Sequence, residues 1–367
     1  MSNGARVLVG MSGGVDSSLA AALLLEQGYE VVGGFIKNWS DSKDLWTGEC
    51  AWRGERRDAF RVAARLGISL LTFDFEVSYR ERVLGRMFQE YERGLTPNPD
   101  VLCNEEIKFG LFFEAARKAG FDYVATGHYA QVERDAQGIA HLIKGADAEK
   151  DQSYFLYRLS QEVLQHTLFP VGHLKKIDVR KEAALRAIPT AAKPDSQGIC
   201  FVGKLNFHEF LRKKIPARPG PILTTDGKEL GQHDGLDAYT IGQRQGLQVS
   251  TGGTPWYVAA KDREKNALII VADHDHPLLR TQSASIGDLH WTREIGHDAS
   301  NPAWELEVSI RYRQTPERAH ARLSADKTTL HLEFLSPVWA LAPGQSAVFY
   351  QGVECLGGGV ILEGPTT

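Results

Sequence analysis

The chain has few of the features that mark secreted, membrane and zinc-binding proteins. Its 367 residues include only four cysteines, and no two of them form a Cys-x-x-Cys pair, which excludes the usual zinc-knuckle spacings. The N-terminal sequence MSNGARVLVG lacks the layout of a secretory signal. No apolar run approaches the roughly 18 residues that a membrane-spanning helix needs. These absences predict a cytoplasmic protein with no membrane contact.

The chain also lacks a net positive charge, which excludes a molecule that is basic over its whole surface and wraps nucleic acid. The 42 Lys and Arg residues against 46 Asp and Glu give a formal net charge of −4. Residues 171–220 are an exception, because eleven basic residues stand there against four acidic ones. This local excess is suited to steering a polyanion, but a solvated helix face explains it equally well.

The most informative segment is Gly10-Met-Ser-Gly-Gly-Val-Asp-Ser-Ser18, which follows the apolar run RVLVGM and precedes the helical run SSLAAALLLEQGY. Unpaired N–H groups at the start of a helix are natural partners of phosphate oxygens. The glycines allow positive φ angles and close approach to a ligand. The segment lacks the Lys of a Walker A loop and the spacing of a dinucleotide fingerprint. It resembles the PP-loop (Ser-Gly-Gly-x-Asp-Ser) of enzymes that split ATP into AMP and pyrophosphate; the alternative is an ordinary strand-to-helix turn.

Strand and helix patterns alternate through the first half of the chain. Strand candidates RVLVGM, YEVVGGFI, ISLLTFDF and YVATGHY are separated by helical runs, which predicts an α/β domain with a parallel sheet covered on both faces. Ligands bind beyond the carboxyl ends of such strands, so we expect Gly127, His128 and Tyr129 to line the same crevice as the PP-loop. We place this catalytic domain at residues 1–205.

After residue 205 the patterns change to short strands and turns. NFHEFLRKKI predicts a helix, and Asp226-Gly227 predicts a hairpin in a small central β-rich domain over residues 206–278. In residues 279–367, WELEVSIRYRQT alternates as a strand with Leu306 and Tyr312 on the same face. This C-terminal domain is predicted to be a β-barrel, with a sandwich as the alternative.

Two cysteines have surroundings that suit chemistry. Cys103 lies in LTPNPDVLCN, a stiff loop with the carboxylate of Asp100 three residues earlier. Cys200 lies in KPDSQGICF beside basic residues, which favour the thiolate. For each, a buried apolar thiol is the alternative interpretation. Cys355 has a strand context and is interpreted as structural, and Cys50 is left unassigned.

Nine segments in one order carry a resemblance that covers nearly the whole chain: SGGVDSS, FIKNW, TPNPDVLCNEEIKF, ATGHYA, KDQSYFLY, LFPVG, DSQGICFVG, YTIGQRQGL and PGQSAVFY. The chain thereby resembles the bacterial tRNA-specific 2-thiouridylase family (MnmA, or TrmU). TPNPDVLCN and DSQGICF are the motifs specific to that family. Two departures are Gln197, where many relatives carry Thr, and Ile36, where relatives often carry Met; both are compatible with backbone contacts.

The resemblance implies ATP-dependent thiolation of the wobble uridine at C2 in tRNAs for Lys, Glu and Gln. ATP adenylates the uridine oxygen, pyrophosphate leaves, and sulfur then displaces AMP. Cys200 would receive sulfane sulfur as a persulfide, Cys103 would resolve the relay through a transient Cys103–Cys200 disulfide, and Asp100 would act as general acid and base. Magnesium is expected to arrive with ATP. The implied partners are tRNA and a sulfur-donor protein, and the protein is expected to be a monomer.

The resemblance also assigns binding residues. The ATP contacts it implies are Gly10, Met11, Ser12, Gly13, Gly14, Val15, Asp16, Ser17, Ile36 and Gly127. The contacts to the tRNA or its target base are Asn98, Pro99, Asp100, His128, Lys150, Asp151, Gln152, Arg311, Tyr312 and Gln345. Without the resemblance, the Arg311-Tyr312 pair would be read as ordinary surface.

Two other functions compete with thiolation. A PP-loop synthetase that forms amides would share the first motif but would need no cysteine pair. A non-catalytic tRNA-binding protein regulated by ATP would keep both binding sites without turnover. Cys200→Ser distinguishes the first of these, and an assay for AMP and thiolated base distinguishes the second.

Overall fold

Seventeen strands are found in the computed structural model, which describes residues 4–40, 50–195, 207–247, 249, 255–295 and 303–362. The strands are β1 (Arg6–Gly10), β2 (Glu30–Lys37), β3 (Leu70–Asp74), β4 (Tyr123–Ala125), β5 (Ala130–Arg134), β6 (Ala140–Lys144), β7 (Thr167–Leu168), β8 (Gly220–Thr224), β9 (Glu229–His233), β10 (Tyr257–Asp262), β11 (Ala267–Val271), β12 (Arg280–Trp291), β13 (Ala303–Ser309), β14 (Glu317–Leu323), β15 (Leu330–Trp339), β16 (Ser346–Gln351) and β17 (Glu354–Ile361).

The helices of the described residues lie mainly in the first half of the chain. They are α1 (Val15–Glu26), α2 (Ala51–Leu66), α3 (Glu76–Ser78), α4 (Arg86–Glu92), α5 (Pro99–Cys103), α6 (Phe112–Lys118), α7 (Gln161–Gln165), α8 (Lys176–Leu185) and α9 (Phe207–Arg212). Widened π-helical segments, Tyr79–Gly85 and Asn104–Leu111, join α3 to α4 and α5 to α6. Every helix in the described part of the chain is too short or too polar to cross a membrane.

The expected parallel sheet is confirmed. It has five strands in the order β3-β2-β1-β4-β7, and each neighbouring pair is parallel. Val7, Leu8 and Val9 of the central strand are completely buried, as expected for a strand covered on both faces. Helix α1 begins directly beyond the carboxyl end of β1, so the PP-loop lies at the edge where ligands bind in such sheets.

The central region is a four-stranded sheet in the order β10-β11-β8-β9. Strands β8 and β9 are antiparallel neighbours, and Gly227 between them has φ +84°. The hairpin predicted from Asp226-Gly227 is therefore confirmed. Helix α9 covers six of the ten residues of NFHEFLRKKI.

The C-terminal region is a closed barrel, which decides between the barrel and the sandwich. Its six strands follow the order β12-β15-β14-β13-β16-β17, and pairing of β12 with β17 closes the ring. The N-terminal domain contributes the hairpin β5–β6 to the same sheet, because Cys355 of β17 pairs with Leu142 of β6. Backbone hydrogen bonds thus join the barrel to the catalytic domain.

One strand prediction is too long. Strand β13 ends at Ser309, so Tyr312 does not continue its alternating face. The chain turns instead: the N–H of Gln314 donates to the carbonyl of Arg311 at 3.3 Å, and Arg313 adopts φ +64°. This turn brings Tyr312 and Arg313 to the N-terminal domain rather than along the barrel wall.

Candidate functional site

A cavity of about 520 Å³ opens at the carboxyl ends of β1, β2 and β4. Its walls combine the PP-loop with residues from eight other parts of the chain, which range from Gly34 in β2 to Arg313 after β13. Of the residues predicted from the sequence, those that line it are Gly10, Met11, Ser12, Gly14, Val15, Asp16, Ser17, Ile36, Asp100, Gly127, His128, Tyr129, Lys150, Gln152 and Tyr312. The structure thus brings most of the predicted ATP and target-base residues into one site.

The PP-loop is held in shape by its own serines. The hydroxyl of Ser12 accepts from the N–H of Gly14 at 3.3 Å and lies 3.2 Å from the hydroxyl of Ser17. The hydroxyl of Ser18 donates to the carbonyl of Gly14 at 2.7 Å. These bonds fix the turn before α1, where N–H groups without helical partners are available to an anion.

Two glycines of the site are required by close contacts. Gly13 has φ +73°, and a Cβ there would lie 2.3 Å from the carbonyl oxygen of Glu55. A Cβ on Gly127 would lie 2.5 Å from the backbone nitrogen of Ser17. Any other residue would push the loop or β4 away from α1, so both positions favour glycine for steric reasons.

A group of charged side chains surrounds the start of α1. The ammonium of Lys176 donates to both carboxylate oxygens of Asp16 at 2.8 Å and to Asp195 at 2.8 Å. The hydroxyl of Tyr129 donates to Asp16 at 2.6 Å. Arg180 and Lys150 bind Asp195 at 2.7 and 3.3 Å. Burial, the nearby Asp16 carboxylate and the hydrogen bond to it raise the pKa of Tyr129, which therefore acts as a donor.

The opposite wall is the helix that begins at Pro99. The side chain of Asn98 caps it by accepting from the N–H of Val101 at 3.4 Å. Asp100 lines the cavity, whereas Cys103, one turn later, is completely buried at the junction with the π-helical segment. Such segments are frequent at functional sites because they redirect side chains within a helix. Acid and thiol therefore share one helix, and only the acid faces the cavity.

His128 is buried and neutral. Burial lowers the pKa of its imidazole well below the usual range, and the charge of Lys108 lowers it further. Its Nδ1 lies 2.7 Å from the hydroxyl of Thr126, and its Nε2 lies 3.4 Å from the ammonium of Lys108. Lys108 also donates to Asn104 at 2.9 Å, which ties this histidine to the helix of Cys103. A neutral ring held in this way can exchange hydrogen bonds with a base.

Several predicted tRNA contacts have structural partners within the protein. Gln345 donates to the carbonyls of Thr96 and Pro97 at 2.8 and 3.2 Å, so the barrel supports the loop before Asn98. Arg311 donates to the carbonyls of Ile241 and Ala340 at 2.5 and 2.7 Å. The arginine that lines the cavity is Arg313, whose guanidinium lies 5.0 Å above the ring of Tyr312.

The segment 150–152 divides in the same way. Lys150 and Gln152 line the cavity, and the side-chain oxygen of Gln152 accepts from the N–H of Tyr129 at 2.9 Å. Asp151 accepts from the N–H groups of Gly145 and Ser153 at 2.9 and 3.1 Å. Burial raises the pKa of the Asp151 carboxyl against these bonds. Its observed contacts stabilise the turn.

The other three cysteines differ in their surroundings. Cys200 lies outside the described residues. Cys355 is completely buried in β17, and burial raises the pKa of its thiol. Cys50 is the N-cap residue of α2, and its thiol donates to the carbonyl of Ser40 at 2.9 Å.

Sequence reasoning missed seven polar residues of the cavity: Glu55, Asn104, Lys108, Thr126, Lys176, Asp195 and Arg313. Burial raises the pKa of the Glu55 carboxyl; the charge of Lys193 opposes this shift, and the charge of Asp58 adds to it. Lys176 lies in the basic region noted above, and that excess was the only signal for it. No group of three or more His, Cys, Asp or Glu side chains in the described ranges is arranged to hold a metal ion.

Comparison with known families follows the same division of the chain. Residues 5–204 match the model described as tRNA methyl transferase HUP domain, residues 208–272 the tRNA methyl transferase PRC-barrel domain, and residues 281–361 the aminomethyltransferase beta-barrel domain.

Curated relatives cover the chain almost completely. A protein of Nitrosomonas europaea named tRNA-specific 2-thiouridylase MnmA is 48% identical over 98% of this chain and 99% of its own length. One of the same name from Lacticaseibacillus paracasei is 47% identical over 97% of this chain and 94% of its own. A solved 4-thiouridine synthetase–RNA complex with bound ATP is 14% identical, covers 57% of this chain and 50% of that one, and has a TM-score of 0.35. That last likeness is too low to support any conclusion.

Proposed function

The chain belongs to the tRNA-specific 2-thiouridylase family of tRNA sulfurtransferases, and we propose on that premise that its cavity adenylates and then thiolates the wobble uridine of tRNA. ATP is the energy source and tRNA the substrate. The observation that carries the proposal is one cavity with a PP-loop on one wall and Asp100 on the other. We take the tRNAs for Lys, Glu and Gln as the substrates, and residues 1–205, 206–278 and 279–367 as the domains.

The first step is activation of the uridine. The phosphates of ATP, which carry a magnesium ion, accept hydrogen bonds from the N–H groups of the PP-loop. The adenine base of ATP lies toward Ile36 and Gly127. The uridine O2 attacks the α-phosphorus, the bond to the β-phosphate breaks, and its electron pair leaves with pyrophosphate. Asp100, on the facing wall, is suited to exchanging a proton with the flipped base. AMP is then the leaving group for sulfur.

The second step moves sulfur. A persulfide on Cys200, charged by a donor protein, supplies the terminal sulfur to C2, and AMP departs. Cys103 then attacks the sulfur of Cys200, which releases the thiolated base and leaves a disulfide. Because Cys103 is completely buried, this step requires its helix or the covering residues to move when tRNA binds. We propose that the protein acts as a monomer.

The test is incubation with ATP, unmodified tRNA, a cysteine desulfurase with cysteine as the sulfane-sulfur donor and a thiol reductant that reopens the disulfide, followed by measurement of AMP and 2-thiouridine. We expect the full chain to form both products. Cys103→Ser and Cys200→Ser should each form no 2-thiouridine and show no sulfur transfer stimulated by tRNA. Cys50→Ser is the matched control, because serine is a good N-cap residue and that thiol is outside the cavity. Absence of both AMP and thiolated base would refute the enzyme. Full activity of Cys200→Ser would instead favour an amide-forming synthetase.

A further inference from the structure

Lys176 is a cation that both lines the cavity and contacts the PP-loop. Lys193 also contacts the loop, through the carbonyl of Gly13 at 3.0 Å, but it is not among the residues that line the cavity. Lys176 is the first residue of α8, and its side chain is 13% exposed inside the cavity. The loop contributes N–H groups and hydroxyls, which are neutral, whereas departing pyrophosphate concentrates negative charge. The other cations on the cavity wall are engaged elsewhere: Lys108 is bonded to Asn104 on the opposite side, Lys150 is bonded to Asp195, and Arg313 lies over the ring of Tyr312. Lys176 is bonded to Asp16, a residue of the loop.

The partners of Lys176 are built so that they can release it. An ammonium group has three donors, and those of Lys176 are directed at the two oxygens of Asp16 and one of Asp195, each at 2.8 Å. If Lys176 left, Asp16 would keep the hydroxyl of Tyr129, and Asp195 would keep Arg180 and Lys150. Removing a cation from a half-buried carboxylate is costly when it leaves the charge unpaired. Asp195 would therefore keep two cationic partners, whereas Asp16 would lose its cation and keep one hydrogen bond from a neutral hydroxyl, so the cost of the exchange falls on Asp16.

We infer that Lys176 is a further phosphate-binding residue, which transfers from Asp16 and Asp195 to the pyrophosphate of ATP as the α,β-phosphoanhydride bond breaks. The electron pair of that bond goes to the leaving pyrophosphate oxygen, and the ammonium of Lys176 donates a hydrogen bond there without giving up its proton. Asp195 is the residue that holds Lys176 ready when the cavity is empty. This inference rests on the proposed use of ATP at the PP-loop.

The alternative is that Lys176 only orients Asp16 and the loop. Tyr129 distinguishes the two roles, because its hydroxyl also holds Asp16 but carries no charge. A purely orienting role predicts that Tyr129→Phe and Lys176→Met have the same effects. A phosphate-binding role predicts that Lys176→Met lowers the affinity for pyrophosphate more than the affinity for AMP, and that Tyr129→Phe does not.

The experiment is calorimetric titration of the full chain with pyrophosphate and, separately, with AMP. Lys176→Met is expected to weaken the binding of pyrophosphate about 10- to 100-fold, which is the range for loss of a hydrogen bond to a charged group. AMP affinity should change less than about threefold, and Lys176→Arg should retain most of the pyrophosphate affinity. Lys181→Met is the matched control, because Lys181 lies on the same helix with its side chain 65% exposed and paired only with Asp178 in the described contacts. It should bind both ligands like the wild type.

Unchanged pyrophosphate affinity in Lys176→Met would overturn the inference. Equal loss of pyrophosphate and AMP, or a selective pyrophosphate loss in Tyr129→Phe as large as in Lys176→Met, would overturn it in favour of the orienting role. Thermal unfolding of each variant shows whether it is folded; if Lys176→Met is not, Lys176→Gln, which keeps a hydrogen-bond donor but removes the charge, is titrated in its place with the same expected results. The titration measures binding and needs no turnover. Failure of the thiolation assay would therefore refute the proposed function without affecting the result for Lys176.

Discussion

The two ends of the cavity are built in different ways. The phosphate end, defined here as residues 10–18 with Lys176 and Asp195, is held by bonds within one domain. The base end, residues 96–103, is supported from the barrel by Gln345 more than 200 positions later in the chain. The phosphate end therefore depends on local geometry, whereas the base end depends on how the domains are joined. Substitutions that affect one end without the other test this difference.

The largest effect is expected at the phosphate end, from Gly13→Ala. A Cβ there would lie 2.3 Å from the carbonyl oxygen of Glu55, at φ +73°. The loop must shift, and a misplacement of about 1 Å near reacting groups costs about 100-fold in rate. We expect kcat/KM for AMP formation to fall by about that factor. Gly14→Ala is the comparison, since its nearest contact is 3.3 Å away and its φ is −94°. Equal losses in the two variants would contradict this steric account.

The base end is tested by Gln345→Ala. Loss of two hydrogen bonds to the carbonyls of Thr96 and Pro97 should loosen the loop before Asn98 and lower the free energy of unfolding by about 1–3 kcal/mol. Thiolation should fall about tenfold while the KM for ATP stays unchanged. Gln351→Ala, on the exposed end of β16, is the control. A loss of tRNA affinity with unchanged stability would show that Gln345 contacts tRNA directly, as the sequence predicts.

Arg311 and Arg313 sharpen the comparison, because only the second lines the cavity. If Arg313 binds a tRNA phosphate, Arg313→Met makes tRNA binding less dependent on salt: the slope of log K against log salt concentration becomes shallower by about 1. Arg311→Met should instead lower thermal stability, because the carbonyls of Ile241 and Ala340 lose their donor. Binding measured between low and high salt decides the matter. A reduced slope in Arg311→Met alone would restore the sequence prediction for that residue.

The smallest effect is expected at the seam between the hairpin β5–β6 and β17. Hydrogen bonds to Glu354 and then to Asp135 raise the pKa of His141 above its usual value. A raised pKa means that the protonated histidine stabilises the folded state fully below about pH 6.5. That stability is lost as the pH rises through the folded-state value. The difference in melting temperature between the wild type and His141→Asn should therefore shrink from pH 6 to pH 8. If this difference in melting temperature grows between pH 6 and pH 8, the pKa of His141 is not raised in the folded protein.

Local patterns were sufficient for most of the strands and helices and for the PP-loop, though not for Lys176 and Asp195 at the phosphate end. The strand–glycine–helix order of residues 6–26 predicted the PP-loop, and alternation of patterns predicted the parallel sheet, because both depend on neighbours in sequence. The strand predicted through Tyr312 was too long, because alternation continues past Ser309 although the backbone turns there. A turn without a glycine or proline signal is invisible to periodicity.

Interactions across the chain were the part that sequence could not predict. The excess of basic residues in 171–220 did not show that Lys176 binds Asp16, because an ion pair depends on distances that packing sets. The role of Gln345 beneath the loop of Asn98 was equally hidden, and so was the pairing of β6 with β17. The assignments of Cys103, Cys200 and Asp100 to catalysis came from motif resemblance and stay predictions.

By itself, the sequence determined the PP-loop, the order of α/β and β-rich regions and the family, since each is written in short segments of neighbouring residues. Only the tertiary structure decided that one cavity joins the PP-loop to Asp100, that Cys103 is buried, and that Arg313 rather than Arg311 lines that cavity. The reason is physical: residue spacing sets which way a backbone runs, but side-chain partners are chosen by packing between segments that are distant in the chain.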